Sequence, residues 1–222
     1  MIILHASDFH GRYKTNSRSL GYDAFPDVTP DLWILSGDMF PNKTRGKEAE
    51  EVPYQARWFR HKADSIISRL RGAPVVCVGG NHDYINMALR LRAMGVEAYE
   101  VTPQGVTVKG IRFAGFREIP YIAGEWNGEA DRGTLQAQVF DTFEQGNPDI
   151  LVTHAPPQGI LDGTGFDEDH VGIEPLTTAL MYRDHKVKVH CFGHVHEQGG
   201  RSAEQNGIRF YNSAETVTRI DF

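Results

Sequence analysis

Residues 2–10 read Ile-Ile-Leu-His-Ala-Ser-Asp-Phe-His, an apolar run that ends in two polar side chains. The run 2–6 predicts a buried β-strand because it is short, largely apolar and bounded by polar residues. Asp8 and His10 follow it with one residue between them. In an extended chain this spacing places a carboxylate and an imidazole on the same side, so both can bind one cation. The stretch therefore predicts a strand that ends at a metal site.

Four further apolar runs end in residues of the same kind. In a mostly parallel sheet, such residues collect in the crevice at the carboxyl ends of the strands. We therefore expect these side chains to converge. They are Gly37-Asp38 after run 32–35, Gly80-Asn81-His82-Asp83 after run 75–78, His154 after run 151–153, and Gly193-His194-Val195-His196 after a run that ends at Phe192.

The remaining chain alternates helix and strand signals. Segment 54–70 is the clearest helix, since its apolar residues fall on one face and Gly72 and Pro74 follow its end. The mixture of α/β alternation with late consecutive strands predicts a two-layered β-sandwich flanked by helices. The other predicted elements are helices at 87–94 and 134–145, a hairpin at 106–113, and strands at 149–153, 187–192, 208–211 and 217–220.

The length and composition fit one domain over residues 1–222 that can bury its own core. The apolar runs are too short to span a bilayer, and the N-terminus has no basic segment followed by an apolar signal core. Cys77 and Cys191 lie inside strand-like runs, where a buried reduced thiol is the usual state. These features predict a soluble cytoplasmic protein that does not bind membranes.

The formal net charge of -6 argues against nonspecific binding to nucleic acid, which needs a basic surface. It leaves a small nucleotide possible as a substrate, because bound metal would neutralise the local carboxylates. The oligomeric state cannot be predicted from the sequence.

The ordered set Asp8-x-His10, Gly37-Asp38, Gly80-Asn81-His82, His154 and Gly193-His194-x-His196 resembles the calcineurin-like metallophosphoesterase superfamily. Segments 8–12, 153–159 and 192–197 are also similar to the metallophosphoesterase-domain-containing (MPPED-type) cyclic nucleotide phosphodiesterases. The resemblance implies a four-layer α/β/β/α sandwich of two mixed β-sheets flanked by helices. It also implies a pair of divalent metal ions.

The resemblance further implies which residues bind the metals. A pair of ions can hold a hydroxide between them and stabilise the attacking and leaving oxygens of an in-line displacement. Mixed carboxylate, amide and imidazole ligands suit manganese, iron or zinc. The implied ligands are Asp8, His10, Asp38 and His196 for the first metal, and Asp38, Asn81, His154 and His194 for the second, with Asp38 as the bridge.

Three more residues are implied to act on the substrate. His82 is expected to contact the phosphoryl group and to protonate the departing oxygen, with Asp83 orienting its ring. Arg12 matches the arginine that follows the first motif in the narrower family, so we expect it to contact a phosphate oxygen.

Three further polar residues are candidate substrate contacts. His170 lies on a long loop after His154, where substrate contacts often gather, and Arg117 and Tyr121 are similar candidates. The remaining candidates are expected to have structural or surface roles only. They are His5 and His190 as hydrogen-bonded histidines of the sheet, His61 and His185 as solvated residues on predicted helices, and Asn212 as a structural turn residue.

The substrate is narrowed by departures from related patterns. After Asp38 the chain reads Met39-Phe40-Pro41-Asn42, not the Asp-Arg-Gly of related serine/threonine protein phosphatases, which disfavours that activity. The short segment between His10 and Asp31 predicts a shortened helix and an open pocket. We expect a phosphodiesterase that acts on small diesters such as cyclic nucleotides. The alternatives are a phosphomonoesterase with the same metals and a noncatalytic protein-binding scaffold, which the intact ligand set disfavours.

Overall fold

The computed structural model describes residues 1–12, 21–44, 46–165 and 169–222. In these ranges the α-helices are α1 (Glu48–Leu70), α2 (Met87–Ala93), α3 (Arg132–Asp141) and α4 (Glu174–Tyr182). A π-helical turn at Thr142–Gly146 continues α3, and short 3-10 turns lie at Tyr22–Ala24 and His196–Gln198. The strands are β1 (Ile2–Ala6), β2 (Leu32–Leu35), β3 (Val75–Cys77), β4 (Ala98–Glu100), β5 (Val106–Val108), β6 (Ile111–Ala114), β7 (Ile119–Pro120), β8 (Glu129–Ala130), β9 (Ile150–Val152), β10 (Val189–Phe192), β11 (Arg201–Gln205), β12 (Ile208–Asn212) and β13 (Val217–Asp221).

The strands form two large mixed sheets and one small pair, β7-β8. The first large sheet has the order β13-β1-β2-β3-β4, and the second has the order β11-β12-β10-β9-β6-β5. The central strands of each sheet are parallel to one another, whereas the antiparallel strands β13, β11 and β5 lie at the edges. The central strands of each sheet therefore end together at one edge.

The two sheets pack face to face, and helices cover their outer faces. Alternate residues of a strand point to opposite faces, so each central strand contributes to two cores. The core between the sheets contains Ile3, Ile34, Val76, Phe113 and Val152. The outer cores pack Leu4, Trp33 and Leu35 against α1 and α2, and Leu151, Phe192 and Phe210 against α3 and α4. The predicted four-layer α/β/β/α sandwich is confirmed.

Helix α1 begins earlier than its apolar pattern predicts. The apolar face predicts a helix from residue 54, just after Pro53, and a proline disfavours a helix interior because it lacks a backbone N–H. The structure extends the helix back to Glu48, with Pro53 inside it. The buried carboxylate of Glu51 accepts backbone N–H groups of Lys43 and Thr44, which fixes this extra turn against the preceding loop. Its predicted end is confirmed, since Arg71 and Gly72 adopt left-handed conformations after Leu70.

The other predicted elements are confirmed to within a few residues, except that helix 134–145 begins at Arg132 and turns π-helical at Thr142. Sequence patterns missed β4, β11, α4 and the β7-β8 pair. β11 is an edge strand with mostly exposed polar residues, so it carries no apolar alternation. Residues 13–20, within the segment predicted to hold a shortened helix, lie outside the described residues.

No helix in the described part of the chain has the length and apolar content needed to cross a bilayer. Cys77 and Cys191 are buried and free, as predicted from their positions in apolar runs.

Candidate metal centre

Both large sheets contribute to one polar cluster at the carboxyl ends of their parallel strands. The loops after β1, β2 and β3 carry its residues from the first sheet, and the loops after β9 and β10 carry those from the second. The convergence follows from parallel strand order, which brings successive strand ends to the same edge. The cluster contains Asp8, His10, Asp38, Asn81, His154, His194 and His196.

The two carboxylate oxygens of Asp8 have different partners. Its Oδ2 accepts the backbone N–H of His194 at 3.0 Å, which fixes the carboxylate. Its Oδ1 lies 3.2 Å from Nε2 of His196 and 4.0 Å from Nε2 of His10, and those two ring nitrogens are 3.3 Å apart. One carboxylate oxygen is thus held by the backbone, and the other meets two imidazoles.

Asp38 repeats this arrangement between the two halves of the cluster. Its Oδ1 accepts the backbone N–H of His82 at 2.7 Å. Its Oδ2 lies 3.4 Å from Nε2 of His154 and 3.9 Å from Nε2 of His10. This oxygen therefore faces a histidine from each sheet.

Asn81, on the loop after β3 of the first sheet, contacts the two histidines that the second sheet contributes. Its amide Oδ1 lies 2.9 Å from Nε2 of His154 and 3.2 Å from Nδ1 of His194. His154 donates from Nδ1 to the backbone carbonyl of Ser36 at 2.8 Å. That bond fixes the ring so that Nε2 points at Asp38 and Asn81, the arrangement typical of a metal-binding histidine.

The spacing of these atoms suits bound cations. Two ligands at about 2.1 Å from an ion lie roughly 3.0–3.4 Å apart for bond angles between 90° and tetrahedral. The shorter separations in the cluster fall close to this range. Among the residues that the structure describes, three overlapping groups could hold an ion, and they are Asp8 with His10 and His196, Asp8 with Asp38 and His154, and His10 with Asp38 and His82.

The backbone around the ligands is shaped to bring them close. Asp8, His10, Asp38 and His194 adopt positive φ of 61°, 46°, 55° and 68°, a region that non-glycine residues rarely occupy. Gly80 allows the loop after β3 to approach Asp38 closely, because a Cβ at this position would lie only 2.1 Å from Oδ1 of Asp38. Strained backbone of this kind gathers at functional sites, where the surrounding structure holds it.

Contacts within the cluster set its charge. Burial is the largest single effect on Asp8 and would raise its pKa, but the hydrogen bond from His196 together with the charges of His154 and His196 lowers that pKa to about 2. Asp38 also has a pKa well below its usual value, against the effect of burial, because of the charge and hydrogen bond of His154. Burial lowers the pKa of His194 to about 4, whereas the Asp38 carboxylate overcomes burial and raises that of His154 to about 9. Cation binding would therefore displace a proton from His154.

His82 borders the cluster, but its ring is held by a residue other than the predicted one. Its ring packs on Trp126, with centroids 4.0 Å apart, and its Nε2 lies 3.9 Å from Oδ2 of Asp38. Its Nδ1 lies 2.5 Å from Oδ1 of Asn42. The predicted role of Asp83 as the orienting residue is wrong, since Asn42 contacts the ring instead.

The carboxylate of Asp83 has a structural role. It accepts the backbone N–H groups of Phe40 at 3.1 Å and Gly80 at 3.0 Å. Burial, reinforced by the charge of Asp38, raises the pKa of Asp83 to about 6. Asp83 therefore ties together the loops that follow β2 and β3.

Residues 1–198 match the family of calcineurin-like phosphoesterases. The chain belongs to this family. Metallophosphoesterase domain-containing protein 1 of Homo sapiens and that of Mus musculus are each 35% identical over 113 residues, which cover 51% of this chain and 33% of each relative. A UPF0046 protein of Caenorhabditis elegans is 26% identical over 201 residues, which cover 83% of this chain and 62% of that relative. The chain thus spans less than two thirds of the length of these relatives.

A solved structure shares the fold of this calcineurin-like phosphoesterase. It is a putative 5'-nucleotidase from Staphylococcus aureus in complex with alpha-ketoglutarate, with a TM-score of 0.54 and 12% sequence identity. The match covers 98% of this chain and 50% of the other. At this identity the likeness concerns the fold alone.

Arg12 lies beside the cluster but is already paired. Its guanidinium donates to the backbone carbonyl of Asp8 at 2.8 Å and to Oε1 of Glu215 at 2.6 Å. Glu215 Oε1 also lies 3.5 Å from Nδ1 of His196. The structure thus places Arg12 near the first group of ligands, with its charge matched by a carboxylate.

Arg117 is not brought into the cluster. Its guanidinium donates to the backbone carbonyls of Gly80 at 2.8 Å and Asp83 at 2.9 Å. These two hydrogen bonds stabilise the loop that carries Asn81 and His82. The predicted substrate contact of Arg117 is therefore replaced by a structural role.

His170 and Tyr121 line a cavity that adjoins the centre at His194. The structure confirms the structural or surface roles predicted for His5, His61, His190 and Asn212. His5 bonds two serines, His190 bonds Thr153, His61 is exposed on α1, and Asn212 bonds loop carbonyls. The prediction for His185 is wrong, because it lies beyond the end of α4 and its Nε2 donates to the carbonyl of Leu180.

Sequence reasoning missed four residues that support the site. Gln55 of α1 donates to the carbonyl of His82 at 2.7 Å and accepts the N–H of Tyr84 at 2.8 Å. Asn42 was noted only as part of a departure from a related motif. These contacts join distant parts of the chain, so no local pattern indicates them. The four residues are Asn42, Gln55, Trp126 and Glu215.

Proposed function

We propose that this chain is a dinuclear metal-dependent phosphodiesterase that hydrolyses small diesters such as cyclic nucleotides. The seven cluster residues would hold two divalent ions, with manganese, iron or zinc compatible with the mixed donor set. When bound, such a pair activates water and stabilises the attacking and leaving oxygens of an in-line displacement.

The protein side chains would then position the ester and donate a proton to its leaving group. Nε2 of His82 faces the cluster, where it can contact the phosphoryl group and donate to the departing oxygen. Burial lowers the pKa of His82 to about 4, and the negative charge of a bound ester opposes that shift. Trp126 and Asn42 hold the ring in place while this happens.

The observation that carries the diester preference is the pairing of Arg12 with Glu215. Two divalent ions held by Asp8 and Asp38 would supply an excess positive charge of about +1 to +2 for the substrate phosphate, depending on whether a hydroxide accompanies them. A diester carries one negative charge, whereas a monoester carries nearly two. Arg12 is matched by a carboxylate and Arg117 by backbone carbonyls, so neither arginine adds an unpaired charge for a dianion.

A comparison of matched substrates tests this preference. Bis-p-nitrophenyl phosphate should be hydrolysed with higher kcat/KM than p-nitrophenyl phosphate, and a cyclic nucleotide with higher kcat/KM than its nucleoside monophosphate. Both pairs are measured with one reconstituted metal at one pH. Preference for the monoester in both pairs would favour a phosphomonoesterase, and no hydrolysis of any substrate would favour a noncatalytic scaffold.

We also propose a cytoplasmic location. Its support is that Cys77 and Cys191 are both buried and free, as is usual for proteins of reducing compartments. Subcellular fractionation of the native protein tests it.

A further inference from the structure

A cavity of about 570 Å³ opens beside the metal cluster at His194. This volume lies within the range that small-molecule ligands occupy in proteins. The described residues that line it include His194 but not His82, whose ring packs against His10 and Trp126. An ester whose leaving oxygen faces His82 would therefore extend its retained substituent into this cavity. The walls include Tyr121, Ile122, His170, Val171 and Val195.

The apolar wall is carried by a loop that is held in one conformation. Tyr121 is 68% exposed and Ile122 is 54% exposed, so both offer apolar surface to a ligand. The carboxylate of Glu129 accepts backbone N–H groups along this loop, at 3.3 Å from Ile122, 2.5 Å from Gly124 and 3.2 Å from Trp126. A loop ordered in this way loses little conformational freedom when a ligand binds.

A second lining residue, His170, offers a fixed hydrogen-bonding group to the cavity. His170 donates from Nδ1 to Oδ1 of Asp162 at 2.7 Å. Asp162 is 1% exposed, and its Oδ2 accepts the N–H of Gly172 at 3.0 Å. Since Nδ1 is engaged, the imidazole can offer Nε2 to a ligand, and the buried carboxylate fixes the direction of the ring.

We propose that this cavity binds the planar heteroaromatic group of the substrate, a nucleobase, and that Tyr121 and His170 determine this specificity. The assignment rests on the proposed phosphoesterase function, because the phosphate must lie at the metal cluster for the base to reach the cavity. A base has an apolar face that stacks on an aromatic side chain and an edge that forms hydrogen bonds. The cavity supplies a partner for each.

The test measures binding and turnover separately on the metal-reconstituted full chain. Tyr121→Ala should weaken the binding of a nucleoside monophosphate roughly tenfold, as expected for the loss of one stacking partner. Binding of inorganic phosphate should not change. His170→Ala should act in the same direction. Tyr182→Ala is the matched control, because Tyr182 is 85% exposed at the end of α4.

Turnover gives the second arm. Tyr121→Ala should raise KM roughly tenfold for a cyclic nucleotide and leave KM unchanged for methyl p-nitrophenyl phosphate, which has no base. Thermal unfolding of each variant verifies the fold.

The two arms separate the two proposals. If nucleotide and phosphate binding respond equally in Tyr121→Ala, or neither responds, the subsite is wrong whatever the turnover. If nucleotide binding weakens selectively but the wild-type protein hydrolyses no ester, the subsite stands and the proposed function fails.

Discussion

Asp38 links the halves of the candidate metal centre through the two oxygens of one carboxylate. One oxygen is fixed by the N–H of His82, and the other lies between His154 and His10. A side chain in this position can be shared by two ions, since each sheet supplies a histidine to it.

Asp38→Ala should abolish hydrolysis and lower the occupancy of both metals, because it removes the shared oxygen. Elemental analysis of the purified variant measures metal content, and Asp184→Ala is the control at an exposed aspartate. Two metals per chain with normal turnover in Asp38→Ala would contradict the bridging assignment.

His82 should affect turnover more than metal content. His82→Ala should lower kcat about a hundred- to ten-thousand-fold, the usual contribution of a general acid, and keep its metals. The loss should be smaller for a p-nitrophenyl ester, whose leaving group needs no proton. His61→Ala controls for loss of an exposed histidine. Equal losses on good and poor leaving groups would mean that His82 only positions the phosphate.

At the scale of elements, the centre depends on how closely the loops after β2 and β3 approach. Gly80 lies at this contact, and a Cβ there would be 2.5 Å from the backbone nitrogen of Asp38. Helix α1 reinforces the contact, since the side chain of Gln55 donates to the carbonyls of Pro41 and His82 in the two loops.

Gly80→Ala should lower metal occupancy and destabilise the fold by about 1–3 kcal/mol, the usual cost of overpacking a close contact. Gly133→Ala is the matched control, because Gly133 is exposed in α3 and a Cβ there would come no closer than 3.6 Å to Asp131 Oδ1. Metal titration and denaturant unfolding provide the readouts. If the two variants behave alike, the close approach is not needed.

At the scale of the whole molecule, the sandwich buries histidines that the proposed chemistry does not use. His190 of β10 is fully buried, and its Nε2 donates to the Thr153 hydroxyl at 2.8 Å. Burial, assisted by the nearby His5, lowers its pKa from 6.5 to about 3. The unfolded chain therefore binds a proton at His190 below about pH 6.5, whereas the folded chain binds it only near pH 3.

Stability should fall as the pH decreases from 6.5 toward 3, because protons then favour the unfolded state. Removing this one group in His190→Leu should reduce the slope by up to roughly 1.4 kcal/mol per pH unit. Denaturant unfolding of both proteins in chelator, across this pH window, measures the slopes. Thr153 keeps a partner in the variant, since its hydroxyl also bonds the carbonyl of Ala155. If the stabilities of the wild type and of His190→Leu change with pH at the same rate, the lowered pKa of His190 is contradicted.

The sequence by itself determined most strands of the two large sheets and the polar residues that follow their ends. Apolar runs such as 32–35 and 75–78 specify strands locally, and Asp38 and Asn81 follow them within three residues in the chain. The helical face of α1 was also predictable, because its apolar residues recur with the helical period. These features depend on neighbours in sequence, so they can be read before the chain is folded.

The tertiary structure alone decided the partners of those residues. Asn42 rather than the adjacent Asp83 orients His82, and Glu215 neutralises Arg12 from 203 residues away. The cavity at His194 joins Tyr121 and His170 from separate loops. Such contacts arise where loops from distant parts of the chain meet in the folded protein, and a hydrogen bond between distant residues leaves no periodic pattern in the sequence.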